Sequence, residues 1–254
     1  DDKLKNDWGI ADANIFRAKA SDYYVNTETN FTLSSGDDFT LGHFAVGSEA
    51  AAVIGESVAD SIWIVDPMTG DVTTEWASWS FDAGDRLAAG DVQIGEHDEV
   101  VMGDLINGSI HVFAPAGTTS FQLSAGFELH SKLAVGDVNA DGMDEVLVGL
   151  QPSVGTSGHL YVCDASGQTL SGAGFDFAFD DYDRMAVGNL LGGPEEELLI
   201  ADDSADNYAV WSKDGIRLTE PWSFPFDAGS RIAVGNVVHW TDHEDIVIKD
   251  STIG

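Results

Sequence analysis

One cysteine, Cys163, stands in 254 residues, so no disulfide can form within the chain. It lies in the strand-like run Leu160-Tyr-Val-Cys163 and reads as a small buried apolar residue. No run of 18 apolar residues occurs, and no signal-peptide pattern opens the chain. No segment keeps a sustained 3.6-residue apolar period, so almost no helix is expected. Basic residues are scarce: 11 Lys and Arg against 44 Asp and Glu, for a net charge of −33. Such a surface repels nucleic acid and anionic membrane and attracts cations. Two readings of the acidity stand: hydrated acid, as in proteins of high-salt environments, or loop carboxylates that hold metal. No serine nucleophile elbow, phosphate loop or His-Glu-x-x-His motif is found.

What the chain does have is a repeat. Phe44-Ala-Val-Gly47, Leu87-Ala-Ala-Gly90, Leu133-Ala-Val-Gly136, Met185-Ala-Val-Gly188 and Ile232-Ala-Val-Gly235 recur with glycines 43, 46, 52 and 47 residues apart. Six residues before the first position of the tetrapeptide stand Phe81, Phe127, Phe179 and Phe226 in repeats two to five. Eight before it stand Trp79, Ala125, Phe177 and Phe224, a period-2 pattern of a half-buried strand whose rings pack between sheets. Downstream come apolar runs headed by an acid: Glu99-Val-Val-Met, Glu145-Val-Leu-Val, Glu197-Leu-Leu-Ile and Asp245-Ile-Val-Ile. A third strand with a Gly-bearing hairpin follows, as in Tyr208-Ala-Val-Trp-Ser-Lys-Asp-Gly215. Four strands in about 47 residues is the size of a propeller blade.

The expectation is an all-β fold, a β-propeller of four-stranded blades spanning 21–254. Five repeats, centred on Gly47, Gly90, Gly136, Gly188 and Gly235, predict five blades. The last repeat ends after its second strand, and the stretch from Asp22 to Thr40 resembles the missing strands. The termini would then close the last blade together, leaving no bare sheet edge. Residues 1–20, with the strand-like Asn14–Ala20, are expected to be an N-terminal extension or added edge strand.

The loop after Gly136 reads Asp137-Val-Asn139-Ala-Asp141-Gly142-Met143-Asp144-Glu145. Oxygen side chains fall at positions 1, 3, 5 and 9, and Gly142 stands at 6 where the chain must turn. A hard cation such as Ca²⁺ takes six to eight oxygens at about 2.4 Å, and alternating acids on a tight loop deliver them. The bland alternative is an Asx-rich turn capped by its own side chains.

With this loop following the tetrapeptide, the repeat resembles the FG-GAP or VCBS repeat of integrin α chains, fungal lectins and many secreted bacterial proteins. The resemblance covers most of residues 40–254. It implies Ca²⁺ held by Asp137, Asn139, Asp141, the backbone of Met143, and Glu145. A second, weaker site is expected at Asp91, Gln93 and Glu99; the remaining loops depart from the pattern. Where ligands are lost but the last acid stays, Glu99, Glu197 and Asp245 are expected to accept backbone N–H groups of the turn.

Weaker candidates are His239, Asp242 and His243 as zinc ligands, and Trp76 and Trp222 as sugar-stacking rings. Asp85-Arg86 and Asp183-Arg184 recur before the tetrapeptide and read as ion pairs or strand-end contacts. Asn30 and Asn107 fit glycosylation acceptors. The resemblance implies a non-catalytic, calcium-containing binding module, extracellular or at the cell surface. It is expected to be monomeric and to recognise a glycan or protein through blade loops. A structural or adhesion segment and a polysaccharide-active enzyme are the alternatives.

Overall fold

The computed structural model describes residues 15–18, 24–27, 36–44, 51–65, 72–75, 79–95, 97–114, 117–124, 126–151, 158–226, 230–235 and 243–249. These form strands and no helix, as the absence of a helical period predicts.

Four four-stranded antiparallel sheets follow one another along the chain. Blade one is β3 (Asp38–Gly42), β4 (Ala51–Glu56), β5 (Ser61–Val65) and β6 (Val72–Glu75). Blade two is β7 (Arg86–Gly90), β8 (Glu99–Asp104), β9 (Ser109–Ala114) and β10 (Gly117–Phe121). Blade three is β11 (Lys132–Gly136), β12 (Glu145–Leu150), β13 (His159–Cys163) and β14 (Phe175–Asp176). Blade four is β15 (Arg184–Gly188), β16 (Glu197–Asp202), β17 (Asn207–Trp211) and β18 (Trp222–Ser223). Each blade is a meander, and the first strands β3, β7, β11 and β15 pack side by side. The fold is a β-propeller.

The expected fifth blade is a correction. After blade four comes a two-stranded sheet, β19 (Arg231–Gly235) with β20 (Asp245–Lys249). At the other end β1 (Ile15–Ala18) pairs with β2 (Tyr24–Thr27). These two strands spend a hydrogen-bonding edge on each other, and no ladder joins either to β20 among the described residues. Among the described residues the structure therefore shows four four-stranded blades, not five.

The first repeat also shifts in register. Its inner strand carries Phe39-Thr-Leu-Gly42, and Gly42 faces Ala51 across the ladder. Gly90 faces Glu99, Gly136 faces Glu145 and Gly188 faces Glu197 at the same spacing. Gly42, not Gly47, is thus the landmark of blade one; Gly47 lies outside the described residues. Phe44-Ala-Val-Gly47 imitates the tetrapeptide but begins in the loop after the strand.

The periodic aromatics do what alternation predicts. Phe81, Phe127 and Phe179 are buried wedges between blades. A side chain added at Gly55, Gly103 or Gly149 would strike the ring of Phe81, Phe127 or Phe179 respectively. Each ring therefore lies over a bare backbone in the second strand of the preceding blade. Phe226 repeats the position and is buried, and Ala201 stands in β16 at the register that Gly149 holds in β12. Cys163 is fully buried in the apolar cluster of blades two and three.

Candidate functional site

The loop of blade three runs from the end of β11 to the start of β12. Ala140 (φ 60°) and Gly142 (φ 87°) take left-handed backbone, which lets the chain double back over Asp137. The Asp137 carboxylate accepts the N–H of Asp141 (3.1 Å) and of Gly142 (3.0 Å). Asp141 Oδ1 accepts the N–H of Met143 (3.0 Å), and Asn139 Nδ2 donates to Glu145 Oε1 (2.7 Å).

Glu145 is 3% exposed, and its Oε2 is buried without a hydrogen-bond partner. Burial first, then the charges of Asp141 and Asp137, push its carboxyl up to about 7. A buried carboxylate oxygen with no donor is costly, and nearby negative charge compounds the cost. A cation among these acids would relieve both. The donors are all oxygens, which suits a hard divalent ion. Among the described residues no three His, Cys, Asp or Glu side chains already gather as a metal cage. The residues fit calcium in chemistry, while Asp137 and Asp141 are turned to their own loop. Beside the loop lies a hollow of about 340 Å³, lined by Asn139, Asp141 and Glu145 on one side and Asp164, Gln168 and Thr169 on the other.

The loop of blade two is a partial copy. Asp91 Oδ1 is buried without a partner, and Glu99 Oε2 accepts the N–H of Gln93 (3.0 Å). Burial pushes both carboxyls up. The Gln93 amide instead reaches Thr119 Oγ1 in β10 (3.5 Å). Blade four satisfies its turn with its own side chains. Glu197 Oε2 accepts the N–H groups of Leu190 (2.9 Å) and Leu191 (3.1 Å), and Asn189 Oδ1 accepts that of Gly192 (2.8 Å). Glu99 and Glu197 thus hold the turn as expected from sequence.

Sequence reasoning missed the acid one place earlier. Asp98, Asp144, Glu196 and Glu244 each clasp the preceding blade. Their N–H groups donate to the carbonyls of His43 (2.9 Å), Asp91 (2.8 Å), Asp137 (3.0 Å) and Asn189 (2.7 Å). Their carboxylates accept the N–H groups of the same four residues, at 2.6, 2.9, 3.1 and 3.0 Å. The signal was present: in all four cases an acid stands immediately before the acid that opens the second strand, Glu99, Glu145, Glu197 or Asp245. The clasp also ties the candidate metal loop to blade four through Asp137.

Other sequence candidates divide. Asp85 accepts the N–H groups of Asp82 and Leu105, both at 2.8 Å, and Asp183 those of Asp180 and Asp203, both at 2.8 Å. They are strand-end contacts that cap turns, and burial pushes Asp183 up to about 6. Trp222 is exposed and lies 5.1 Å from the Tyr208 ring. Trp76, His239, Asp242 and Asn30 lie outside the described residues. Asn107 Nδ2 donates to Asp104 Oδ2 (2.6 Å) in the β8–β9 turn.

No family model matches the chain, and no curated protein matches it. Solved structures do. An Agrocybe aegerita lectin that recognises non-reducing terminal N-acetylglucosamine is 9% identical, with a TM-score of 0.55, over 95% of this chain and 69% of that one. A streptogramin B lyase is 12% identical, with a TM-score of 0.52, over 85% and 69%. BBS1N in complex with ARL6DN is 12% identical, with a TM-score of 0.50, over 83% of this chain and 60% of that one. The chain spans about three fifths of the length of the first structures it matches. At such identity the likeness establishes the fold alone.

Proposed function

We propose that this chain is a propeller binding module of FG-GAP/VCBS type, containing calcium in the loop of blade three and recognising a glycan through blade loops. The observation that carries it is the unpartnered, buried Glu145 oxygen in an all-oxygen loop beside a hollow of about 340 Å³. Asp137, Asn139, Asp141, the carbonyl of Met143, and Glu145 would hold the ion. Bound there, calcium supplies positive charge that offsets the crowded carboxylates. The protein's own residues do the rest: Asp137 folds the loop back through two N–H bonds, and Glu196 fixes Asp137 to the next blade. Asp164, Gln168 and Thr169 present polar groups across the hollow, suited to sugar hydroxyls. Asp91, Gln93 and Glu99 form the weaker second site. The setting is extracellular or at the cell surface, with the chain acting as a monomer.

The lectin's recognition of terminal N-acetylglucosamine supplies a first probe. A glycan array read with calcium and with chelator tests the proposal. Saturable binding that chelator weakens at least tenfold is expected. Silence on the array together with cleavage of an acidic polysaccharide would place the chain among enzymes instead.

A further inference from the structure

The hollow in blade three has two walls of different origin. One is the loop between β11 and β12, with Asp141, Asp144 and Glu145. The other is the connection from β13 to β14, with Asp164, Gln168 and Thr169. That second wall is built by its own hydrogen bonds. The Asp164 N–H donates to the Gln168 carbonyl (3.1 Å), and the Gly167 N–H to the Asp164 carbonyl (2.9 Å). Asp164 Oδ1 accepts the N–H groups of Ser166 (2.8 Å) and Gln168 (3.0 Å) and the Ser166 hydroxyl (2.6 Å). The turn is also wedged against blade two, since a side chain at Gly167 would strike the Phe121 ring. Asp164 is therefore fixed independently of the β11–β12 loop.

Every ionisable side chain that lines the hollow is an acid: Asp141, Asp144, Glu145 and Asp164, with no Lys, Arg or His among the lining residues. No cation stands behind them to compensate. The charges that act most on Glu145 are those of Asp141, Asp137 and Asp144, and those on Asp144 are Asp137, Asp98 and Asp91. Against the cost of burial, the hydrogen bonds from Ser166 and Gln168 hold the Asp164 carboxyl below its usual range. Glu145 is 3% exposed, lines the hollow, and leaves Oε2 without a partner.

A divalent ion in the loop would not reverse this. Asp137, Asp141, Asp144, Glu145 and Asp164 bring five negative charges against its two positive ones. A hollow of about 340 Å³ keeps a guest within the roughly 8 Å over which charge is felt at physiological salt. A carboxylate or sulfate on the guest is therefore repelled, and an ammonium is drawn in. The rest of the lining suits a sugar ring. Val92, Met143 and Leu170 offer apolar surface beside the amide of Gln168 and the hydroxyls of Thr169 and Ser171. The volume stands at the low end for small-molecule sites, about 300–1,000 Å³, which matches a short saccharide.

We propose that the hollow selects an amino sugar with a free, protonated amine over its N-acetylated form, and excludes uronic and sulfated sugars. The inference rests on the reading of this hollow as a glycan site and names the class of sugar it takes. Asp164 is the specificity-determining residue. Its turn holds the carboxylate at the wall opposite the metal loop, where it forms a charge-assisted hydrogen bond with the ammonium. The acetylated form keeps the ring contacts and loses that bond.

Isothermal titration at constant ionic strength, in excess calcium and at about pH 6.5 where an amine is protonated, tests it. The probes are the glucosamine disaccharide, its N-acetylated form, a glucuronate-bearing disaccharide, and putrescine as a diamine without a ring. The free-amine sugar should bind at one site per chain, at least tenfold more tightly than the acetylated sugar and than putrescine. Glucuronate should give no heat. Asp164→Asn should reduce the preference for the amine several-fold, with binding of the acetylated sugar and the calcium response unchanged. The wild-type comparison decides alone if that variant does not fold. Equal affinity for amine and acetylated sugars, equal affinity for putrescine, measurable glucuronate binding, or a preference unaltered in folded Asp164→Asn would overturn this inference and leave glycan binding standing. No heat from any sugar would overturn both.

Discussion

Alanine at Gly136 should cost the fold about 2 kcal/mol, while alanine at Gly235 should be neutral or slightly stabilising. The two glycines hold the same place in β11 and β19. A Cβ on Gly136 would strike the Val187 side chain and the Glu196 carboxylate. A Cβ on Gly235 would meet nothing within 4 Å among the described residues. Local preference predicts the opposite at Gly136, since alanine loses less chain entropy than glycine on folding. The overlap reverses that sign because Glu196 must come close to clasp Asp137. Gly90 and Gly188 are crowded in the same way by Asp144 and Glu244. The repeated glycine therefore records the close approach of the next blade. Urea denaturation of the two variants checks this, and equal effects at both positions would contradict it.

The second large effect is on pH. In chelator, stability should fall by several kcal/mol between pH 5 and pH 8, at up to about 1.4 kcal/mol for each pKa unit by which a carboxyl is raised. Glu145 and Glu196 are each pushed up to about 7, chiefly by burial, and Asp183 to about 6. For a carboxyl raised above its unfolded value, the folded state binds the proton more tightly. Its full stability is present below the unfolded pKa and is lost as pH rises through the folded pKa. The window is thus roughly pH 4.5 to 7.5. Carboxyls lowered by hydrogen bonds, such as Asp104 and Asp164, act below it. Lys132, lowered to about 8, acts above it. General repulsion among 44 acids works in the same direction, so the variant matters. Glu196→Gln should flatten the slope visibly. A stability that is level or rises from pH 5 to pH 8 would contradict the assignment.

Much of this was legible in the sequence. The period near 47 residues and the alternating phenylalanines are short-range patterns that β-blades impose directly. The acid kept at position 9 as other ligands decayed pointed correctly to turn N–H groups at Glu99 and Glu197. Three things were less legible. Phe44-Ala-Val-Gly47 matches the motif better by letters than Phe39-Thr-Leu-Gly42, and only the ladder to Ala51 decides between them. The clasp acids were hidden beside the position-9 acids, because a side chain's partner in the next blade is a long-range fact. Blade number rested on how the termini meet, and the pairing of β1 with β2 is likewise a choice between strands that sequence cannot rank.

The differences among equal blades carry the functional claim, and calcium tests it most directly. Isothermal titration of calcium into wild-type protein and Glu145→Gln, with melts in parallel, is the measurement. One principal site is predicted in wild-type protein, with a weaker second at Asp91. A ligand confined to the native state stabilises it by about 2.7 kcal/mol at a hundredfold excess over its dissociation constant. Glu145→Gln should lose the principal site and that stabilisation while remaining folded in chelator. No heat and no shift at millimolar calcium, or an undiminished response in Glu145→Gln, would contradict the account.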